Sequence, residues 1–153
     1  MRIFDKVCAN RRSEADILHD EEFMEFQVAH KRKYSRQHIW YQDKDDRFTI
    51  GVSDFLQADH GDVLRVILPH ADTEVDVDDE LFSISFADVL LVFRSPFSGK
   101  LVEVNGEIEI NPELINDDPY GDGWCVILEP HPPYDTDNLL EPDEYVEFIE
   151  DEM

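Results

Sequence analysis

The sequence has few cysteines and no long apolar run. Its two cysteines, Cys8 and Cys125, lie far apart and fit no Cys-x-x-Cys or Cys/His spacing, which argues against a disulfide framework and a zinc site. No apolar run approaches the length that spans a bilayer, and charged residues interrupt the opening MRIFDKVCANRR too early for a signal-peptide core. We therefore expect a cytoplasmic protein with free thiols and no membrane association.

Basic residues are also scarce. The chain carries 13 Lys and Arg against 37 Asp and Glu, a formal net charge of −24 at pH 7. Such a charge repels phosphate backbones, so we expect no nucleic acid as a partner. Two interpretations stay open, namely a solvated acidic surface and steering toward a basic protein.

Motifs that would indicate catalysis or metal binding are missing. The six histidines are scattered, and no pair has the i, i+4 spacing of a zinc-hydrolase helix. There is no G-x-G-x-x-G sequence, no P-loop and no G-x-S-x-G elbow. The acidic run that begins at Asp72 has Val77 and Ser83 where an EF-hand loop needs Gly and Glu. We therefore expect neither an enzyme nor a metal site.

The apolar content is sufficient for one domain. The 153 residues are 42% hydrophobic and include ten Phe and two Trp, enough to fill a single core. Residues 13–30 carry a helix pattern, with Ser13 as a possible N-cap and apolar side chains near one face, namely Ile17, Phe23, Met24 and Val28. We predict an N-terminal helical extension over residues 1–33 and one domain over residues 34–153.

From Tyr34 onward, short runs typical of β-strands alternate with turns. HIWYQ and RFTIGV flank DKDD and predict a hairpin, while Ser53 and Gly61 are a plausible N-cap and stop for a short helix. HADTEVDVDDELFSIS alternates as a half-solvated strand would, and SISFADVLLVFR predicts a second hairpin. A short C-terminal helix is expected from Pro142, and the residues available to pack it are Leu139, Leu140, Tyr145, Phe148 and Ile149.

Several segments, in order and nearly without gaps, resemble the H protein family of the glycine cleavage system. They are YSRQHIWYQ, TIGVSDFLQADHGDVLRVILP, SPFSGKLVEVNGEIEINPELINDDPYGDGW and the closing acidic helix. In NPELINDDPYGDGW, the residues before each proline disfavour helix, Gly121 and Gly123 permit sharp turns, and Trp124 is expected in the core. The family places glycines in turns where this chain has Asp72 and Asp78, and Asp tolerates left-handed backbone better than most residues.

The resemblance implies a mainly β fold like that of the lipoyl and biotinyl carrier domains. This fold is a sandwich of two antiparallel sheets, the barrel-sandwich hybrid, with a lysine on an exposed hairpin turn. Here the short C-terminal helix and the N-terminal helical extension would be added to it. In the family that lysine carries lipoate, the cofactor on which aminomethyl groups travel.

The expected carrier lysine is missing from this chain. Family members show Glu-Ser-Val-Lys-Ala at the turn, and counting back from Pro96 aligns Ser85-Phe86-Ala87-Asp88-Val89 with it. Asp88 thus stands where the lipoylated lysine would be, and no lysine occurs from Phe48 to Gly99. Because lipoate is attached through an amide to a lysine amine, we expect no lipoate and no other cofactor on this chain.

The hairpin also contains an apolar run that a carrier would not need, comprising Val89, Leu90, Leu91, Val92 and Phe93. One interpretation is a strand with alternate residues buried, and the other is a partner-binding surface. The run could be covered by the N-terminal helix, by a second copy in a homodimer or by a different protein.

Three functions remain open from the sequence. The first is a non-lipoylated binding or regulatory protein that docks on a component of glycine cleavage or lipoate metabolism. The second is a true H protein that carries aminomethyl groups, which the resemblance implies and the missing lysine opposes. The third is an enzyme on the same scaffold, for which no constellation of residues argues.

Overall fold

The computed structural model describes residues 26–152. Within this range the chain forms nine strands and four helices. In chain order they are β1 Lys33–Tyr34, β2 Ile39–Lys44, β3 Arg47–Val52, α1 Asp54–His60, β4 Arg65–Ile67, β5 Thr73–Val75, β6 Glu80–Ser85, β7 Leu90–Arg94, β8 Gly99–Val104, α2 Glu107–Ile110, α3 Glu113–Asp117, β9 Val126–Pro130 and α4 Pro142–Glu152.

The strands form two sheets in which all neighbours are antiparallel. The large sheet has the order β1-β2-β3-β9-β8-β5, and the small sheet has the order β4-β6-β7. In the described part of the chain neither sheet closes into a barrel. The predicted mainly β fold of two antiparallel sheets with a short C-terminal helix is confirmed.

Aspartates make the tight turns, as the sequence predicts. Asp45 and Asp46 join β2 to β3 with φ values of 56° and 63°, as a two-residue hairpin loop requires. Asp72 and Asp78 also have left-handed backbone, with φ values of 67° and 73°. A short polar side chain makes this conformation accessible without glycine, so the turns survive at the positions where the family has glycine.

Two clusters of buried side chains hold the domain together. The first lies between the two sheets and includes Ile50 and Leu128 of the large sheet and Ile84 and Phe93 of the small one. The second lies beside the large sheet, where α4 covers the first two strands. It comprises Val28, Tyr34, Trp40, Phe55, Leu140, Tyr145 and Ile149. The packing of α4 by its apolar face is therefore as predicted.

The N-terminal helix prediction is wrong at its C-terminal end. Residues 13–25 lie outside the described residues, and residues 26–30 are irregular rather than helical. Hydrogen bonds to residues distant in sequence hold this stretch in place. The Gln27 N–H donates to Asp54 Oδ2 at 2.7 Å, and the Tyr120 hydroxyl donates to Gln27 O at 2.7 Å. Lys31, with a φ of 65°, turns the chain away from helical backbone. Residues 26–30 therefore belong to the packed domain.

The acidic segment read as one half-solvated strand is instead two strands. β5 pairs with β8 in the large sheet, whereas β6 lies in the small sheet. Between them the chain turns at Asp78, whose N–H donates to Ser95 O at 2.8 Å. In β5 only Val75 is buried, whereas four successive residues of β6, Leu81 to Ile84, are buried, so β6 is not the half-solvated strand that the sequence predicted.

In the NPELINDDPYGDGW segment the helix ends where the sequence predicts, but the burial of Trp124 and the role of Gly123 differ from the prediction. α3 ends at Asp117 with Asp118 as its C-cap, directly before Pro119, as predicted. Trp124 is only half-buried, and Trp40 is the fully buried tryptophan, with Nε1 donating to Pro119 O at 3.0 Å. At Gly123 a Cβ would lie 2.8 Å from Leu114 O, so glycine is needed for close approach and not for a positive φ.

Candidate functional site at the hairpin tip

The β6–β7 hairpin presents Asp88 at its tip. The strands pair up to Ser85 and Leu90, and the Phe86 N–H closes the turn by donating to Val89 O at 2.8 Å. The Asp88 side chain is 69% exposed. The predicted hairpin is confirmed, and its most prominent ionisable side chain is a carboxylate.

The C-terminal end of α1 lies against this tip. Ser53 caps the helix, its Oγ accepting from the Leu56 N–H at 3.4 Å, and Gly61 ends it with a φ of 91°. Both helix signals were correctly predicted, and together they fix the position of His60. The His60 ring packs over Phe86 with centroids 4.9 Å apart, and its Nδ1 lies 3.8 Å from Asp88 Oδ1.

Acidic side chains dominate the surroundings of the tip. Asp59 and Asp62 lie at the end of α1 and just beyond it, and both are exposed. Asp59 Oδ2 is 3.9 Å from His60 Nε2, so His60 stands between Asp59 and Asp88. This end of the molecule therefore offers negative charge to a partner.

The side chains at the tip do not fit covalent lipoate, which needs a primary amine. The lysines that flank the hairpin in sequence are Lys44 and Lys100. Lys100 belongs to β8, where its Nζ lies 3.8 Å from Asp72 Oδ1, and Lys44 ends β2 beside the other hairpin turn. Neither amine is on the β6–β7 turn.

The five apolar residues of the hairpin do not form one surface. Phe93 is 4% exposed and belongs to the core, and Val89 and Leu91 are half-buried against it. Leu90 and Val92 remain, at 56% and 38% exposure. The run thus follows the alternation of a strand, and only its outward residues are available for binding.

These outward residues extend across the whole small sheet. The register aligns Ile67 with Ser83 and Val92 in one row, and Arg65 with Ser85 and Leu90 in the next. We call this side of the small sheet the outer face. It consists of Arg65, Ile67, Glu80, Ser83, Ser85, Leu90, Val92 and Arg94, of which only Ser83 is buried. The contribution of β4 was missed from the sequence, although the alternation in VLRVILP carries the signal.

A buried polar link lies away from the tip. The Tyr145 hydroxyl shares hydrogen bonds with His38 Nδ1 at 2.8 Å and with Ser53 Oγ at 2.6 Å. Ser53 is fully buried, so this Ser, Tyr and His grouping joins elements and offers no accessible nucleophile. His38 is half-buried.

The described residues form neither a metal-binding cluster nor a membrane-spanning helix. Between residues 26 and 152, no three His, Cys, Asp or Glu side chains lie close enough together to hold a metal ion. In the same range no helix is long and apolar enough to cross a bilayer.

Comparisons with known proteins give one family. The family model described as Glycine cleavage H-protein matches residues 32–152. The glycine cleavage system H protein of Halalkalibacterium halodurans is 38% identical over 120 residues, which cover 78% of this chain and 94% of that protein. That of Coprothermobacter proteolyticus is 39% identical over 118 residues, 76% and 93% of the two chains.

A solved structure agrees with the fold. The crystal structure of a glycine cleavage system H protein from Mycobacterium marinum superposes with a TM-score of 0.72 and is 24% identical. The match covers 82% of this chain and all of that one. At this level of identity the likeness concerns the fold.

Proposed function

This chain belongs to the glycine cleavage H-protein family, and from that premise we propose that it acts by binding another protein without carrying lipoate. The H protein is the lipoyl-bearing carrier of that system and not itself an enzyme, which agrees with the expectation that this chain is not an enzyme. The observation that carries the proposal is the exposed carboxylate of Asp88 on a hairpin turn that has no amine.

The charge of the tip supports a basic partner. Asp59, Asp62 and Asp88 give this end a concentration of exposed carboxylates, and the chain as a whole carries −24. Opposite charge across an interface mainly speeds association and selects partners, and salt screens it. A component of glycine cleavage or lipoate metabolism with a basic face around its H-protein site is the partner we propose, with Leu90 and Val92 as the apolar part of the contact.

The second candidate is a true H protein that carries aminomethyl groups. The names of the relatives, at 38% and 39% identity over more than nine-tenths of their length, favour it over the binding function. It requires an acceptor amine away from the β6–β7 turn. Lys44 is the candidate, because it is exposed beside the β2–β3 turn and its place next to a hairpin turn resembles that of Asp88 on the β6–β7 turn.

A reconstituted glycine cleavage assay separates the two functions. The chain, co-expressed with a lipoate ligase and lipoate, replaces the H protein in one reaction and is added to a lipoylated H protein in the other. We expect no turnover in the first and inhibition in the second, because the chain occupies a docking site without an arm to load. Turnover in the first reaction would establish the carrier function.

The matched control is Asp88→Lys, which restores an amine at the tip without altering the core. If this variant becomes lipoylated and supports turnover, the scaffold is intact and the single side chain accounts for the difference. If the unaltered chain neither inhibits nor supports turnover, it does not bind the glycine cleavage components in the assay, and the proposal is contradicted.

A further inference from the structure

The outer face of the small sheet is an exposed apolar surface with nothing described against it. Ile67, Leu90 and Val92 are exposed to 47%, 56% and 38% and surround Ser83, which is itself buried between its neighbours. Adjacent strands lie about 4.8 Å apart, so these three side chains fall within roughly 10 Å of one another. Exposed apolar side chains this close together are typical of a surface that binds another segment or another protein.

The same face carries two of the few basic residues of the domain. Arg65 and Arg94 both lie on it, and between Phe48 and Met153 the only other Lys or Arg is Lys100. Arg65 makes no ion pair with any other residue in the described range. Arg94 donates to the Asp78 carbonyl at 3.1 Å and lies opposite the exposed Glu80 in the register of β6 and β7, whereas Arg65 lies opposite Ser85 and has no acidic residue in its row. The complementary occupant is therefore apolar and brings an acidic group to Arg65.

The chain itself contains such a segment before Phe26. Residues 13–25 read SEADILHDEEFME, with four large apolar side chains, six Asp or Glu and no Lys or Arg. The apolar ones are Ile17, Leu18, Phe23 and Met24. Both requirements of the outer face, apolar contact and negative charge, are met by this one segment.

The segment joins the domain within reach of that face. Phe26 packs edge-on against Phe55 at the start of α1, with centroids 5.2 Å apart, and His60 at the other end of α1 contacts Phe86 of the hairpin turn. A helix of seven residues is about 10 Å long, so with the two ring contacts Phe26 lies at most roughly 20 Å from Phe86 at the hairpin turn. Thirteen residues span about 20 Å even as a helix.

We propose that residues 13–25 dock on the outer face of the small sheet of their own chain. The inference goes beyond the proposed function, because it holds whether or not the chain carries lipoate. One consequence rests on the proposed function: a partner that uses Leu90 and Val92 must displace the segment, so docking would lower the affinity of the free chain for that partner.

The test uses the full-length chain with Phe23→Asp and Met24→Asp introduced together. Backbone amide exchange in β4 and β7, binding of an apolar-surface dye and solution mass are compared with the unaltered chain. We expect faster exchange in β7, with β3 and β9 unchanged, together with higher dye fluorescence and a monomer in both cases. Tyr134→Asp is the control, because it adds an acid at an exposed aromatic side chain that lies against Phe48 of the large sheet, away from β4.

A second variant tests the charge. Arg65→Glu should release the segment and give the same exchange and dye changes, whereas Lys44→Glu, the same charge reversal at an exposed residue of β2, should give neither. Unchanged exchange and dye binding in the Phe23 and Met24 double variant would overturn the proposal. So would a dimer that dissociates on Leu90→Asp, because a second copy would then be the occupant.

These measurements need neither lipoate nor a partner. Failure of docking is therefore seen in the isolated chain, whereas failure of the proposed function is seen in the glycine cleavage assay.

Discussion

Tyr145 links three parts of the chain through one hydroxyl group. Its ring stacks on Tyr34 with centroids 4.3 Å apart, and its oxygen bonds both His38 Nδ1 and the buried Ser53 Oγ that caps α1. Each partner comes from a different element, so the hydroxyl ties α4 to the large sheet and to the helix that supports the hairpin tip.

Tyr145→Phe removes that hydroxyl without removing the ring. We expect the free energy of unfolding to fall by about 1–3 kcal/mol, because the buried Ser53 and His38 each lose a partner. Denaturant unfolding measures it, with Tyr134→Phe as the control at an exposed ring. Equal midpoints for the two variants would show that the link contributes nothing to stability.

Buried phenols and a buried thiol set the response of the chain to alkaline pH. Burial raises the pKa of the Cys125 thiol and of the Tyr34 and Tyr120 hydroxyls. In the folded state these groups stay protonated at a pH where the unfolded chain loses the same protons. The contribution of these groups to the free energy of unfolding should therefore be complete below the ordinary thiol pKa of about 8.5 and should decline as the pH rises above it.

The measurement is the urea midpoint at a series of pH values from neutral to alkaline. Cys125→Ala should flatten the first part of the decline, because the thiol titrates before the phenols. A midpoint that stays constant or rises through this range would contradict the assigned burial.

At the scale of elements, the turn between β5 and β6 depends on one left-handed residue. Asp78 has a φ of 73°, and its side chain is exposed, so the backbone conformation is what the position requires. We expect Asp78→Val to cost about 1–2 kcal/mol, since a β-branched residue tolerates this region poorly. Asp78→Gly should keep stability close to that of the unaltered chain, and thermal unfolding of the pair measures the difference.

The sequence predicted correctly those helix ends and turns that depend on residues close together in the chain. Ser53 and Gly61 bound α1, the DKDD turn joins β2 to β3, and Pro142 starts α4, each as the sequence indicates. Asp88 was placed at a hairpin tip by counting along a family pattern, and the described turn has it there.

Other features depend on partners that are distant in sequence. The acidic segment changes sheet at Asp78 because β8 and β7 offer separate edges, which periodicity does not encode. Residues 26–30 are irregular because Asp54 and Tyr120 bind Gln27 across the domain. The outer face combines β4 with β7, and only the register brings Ile67 and Val92 into one row.

At the scale of the whole molecule, charge separates the surfaces. The chain carries −24, yet the outer face holds Arg65 and Arg94 against a single acid, Glu80. The exposed acids Asp59, Asp62 and Asp88 lie at the hairpin end. This distribution favours an acidic cover on the outer face and a basic partner at the tip. Binding of the partner should weaken as salt rises.

The overall charge also predicts no affinity for nucleic acid. A mobility-shift assay with DNA and RNA at physiological salt should show no complex, because few cations are available to replace phosphate counterions. Tight binding would require a basic surface that the described charges do not provide.

Intact mass tests the central claim, that an H-protein scaffold here lacks the carrier arm. The full-length chain is expressed with a lipoate ligase and lipoate, beside Asp88→Lys and a lipoylated H protein as positive control. We predict an unchanged mass for the unaltered chain, since Asp88 offers a carboxylate where an amide bond needs an amine. A gain equal to one lipoyl group, on Lys44 or any other lysine, would contradict the account and establish a carrier.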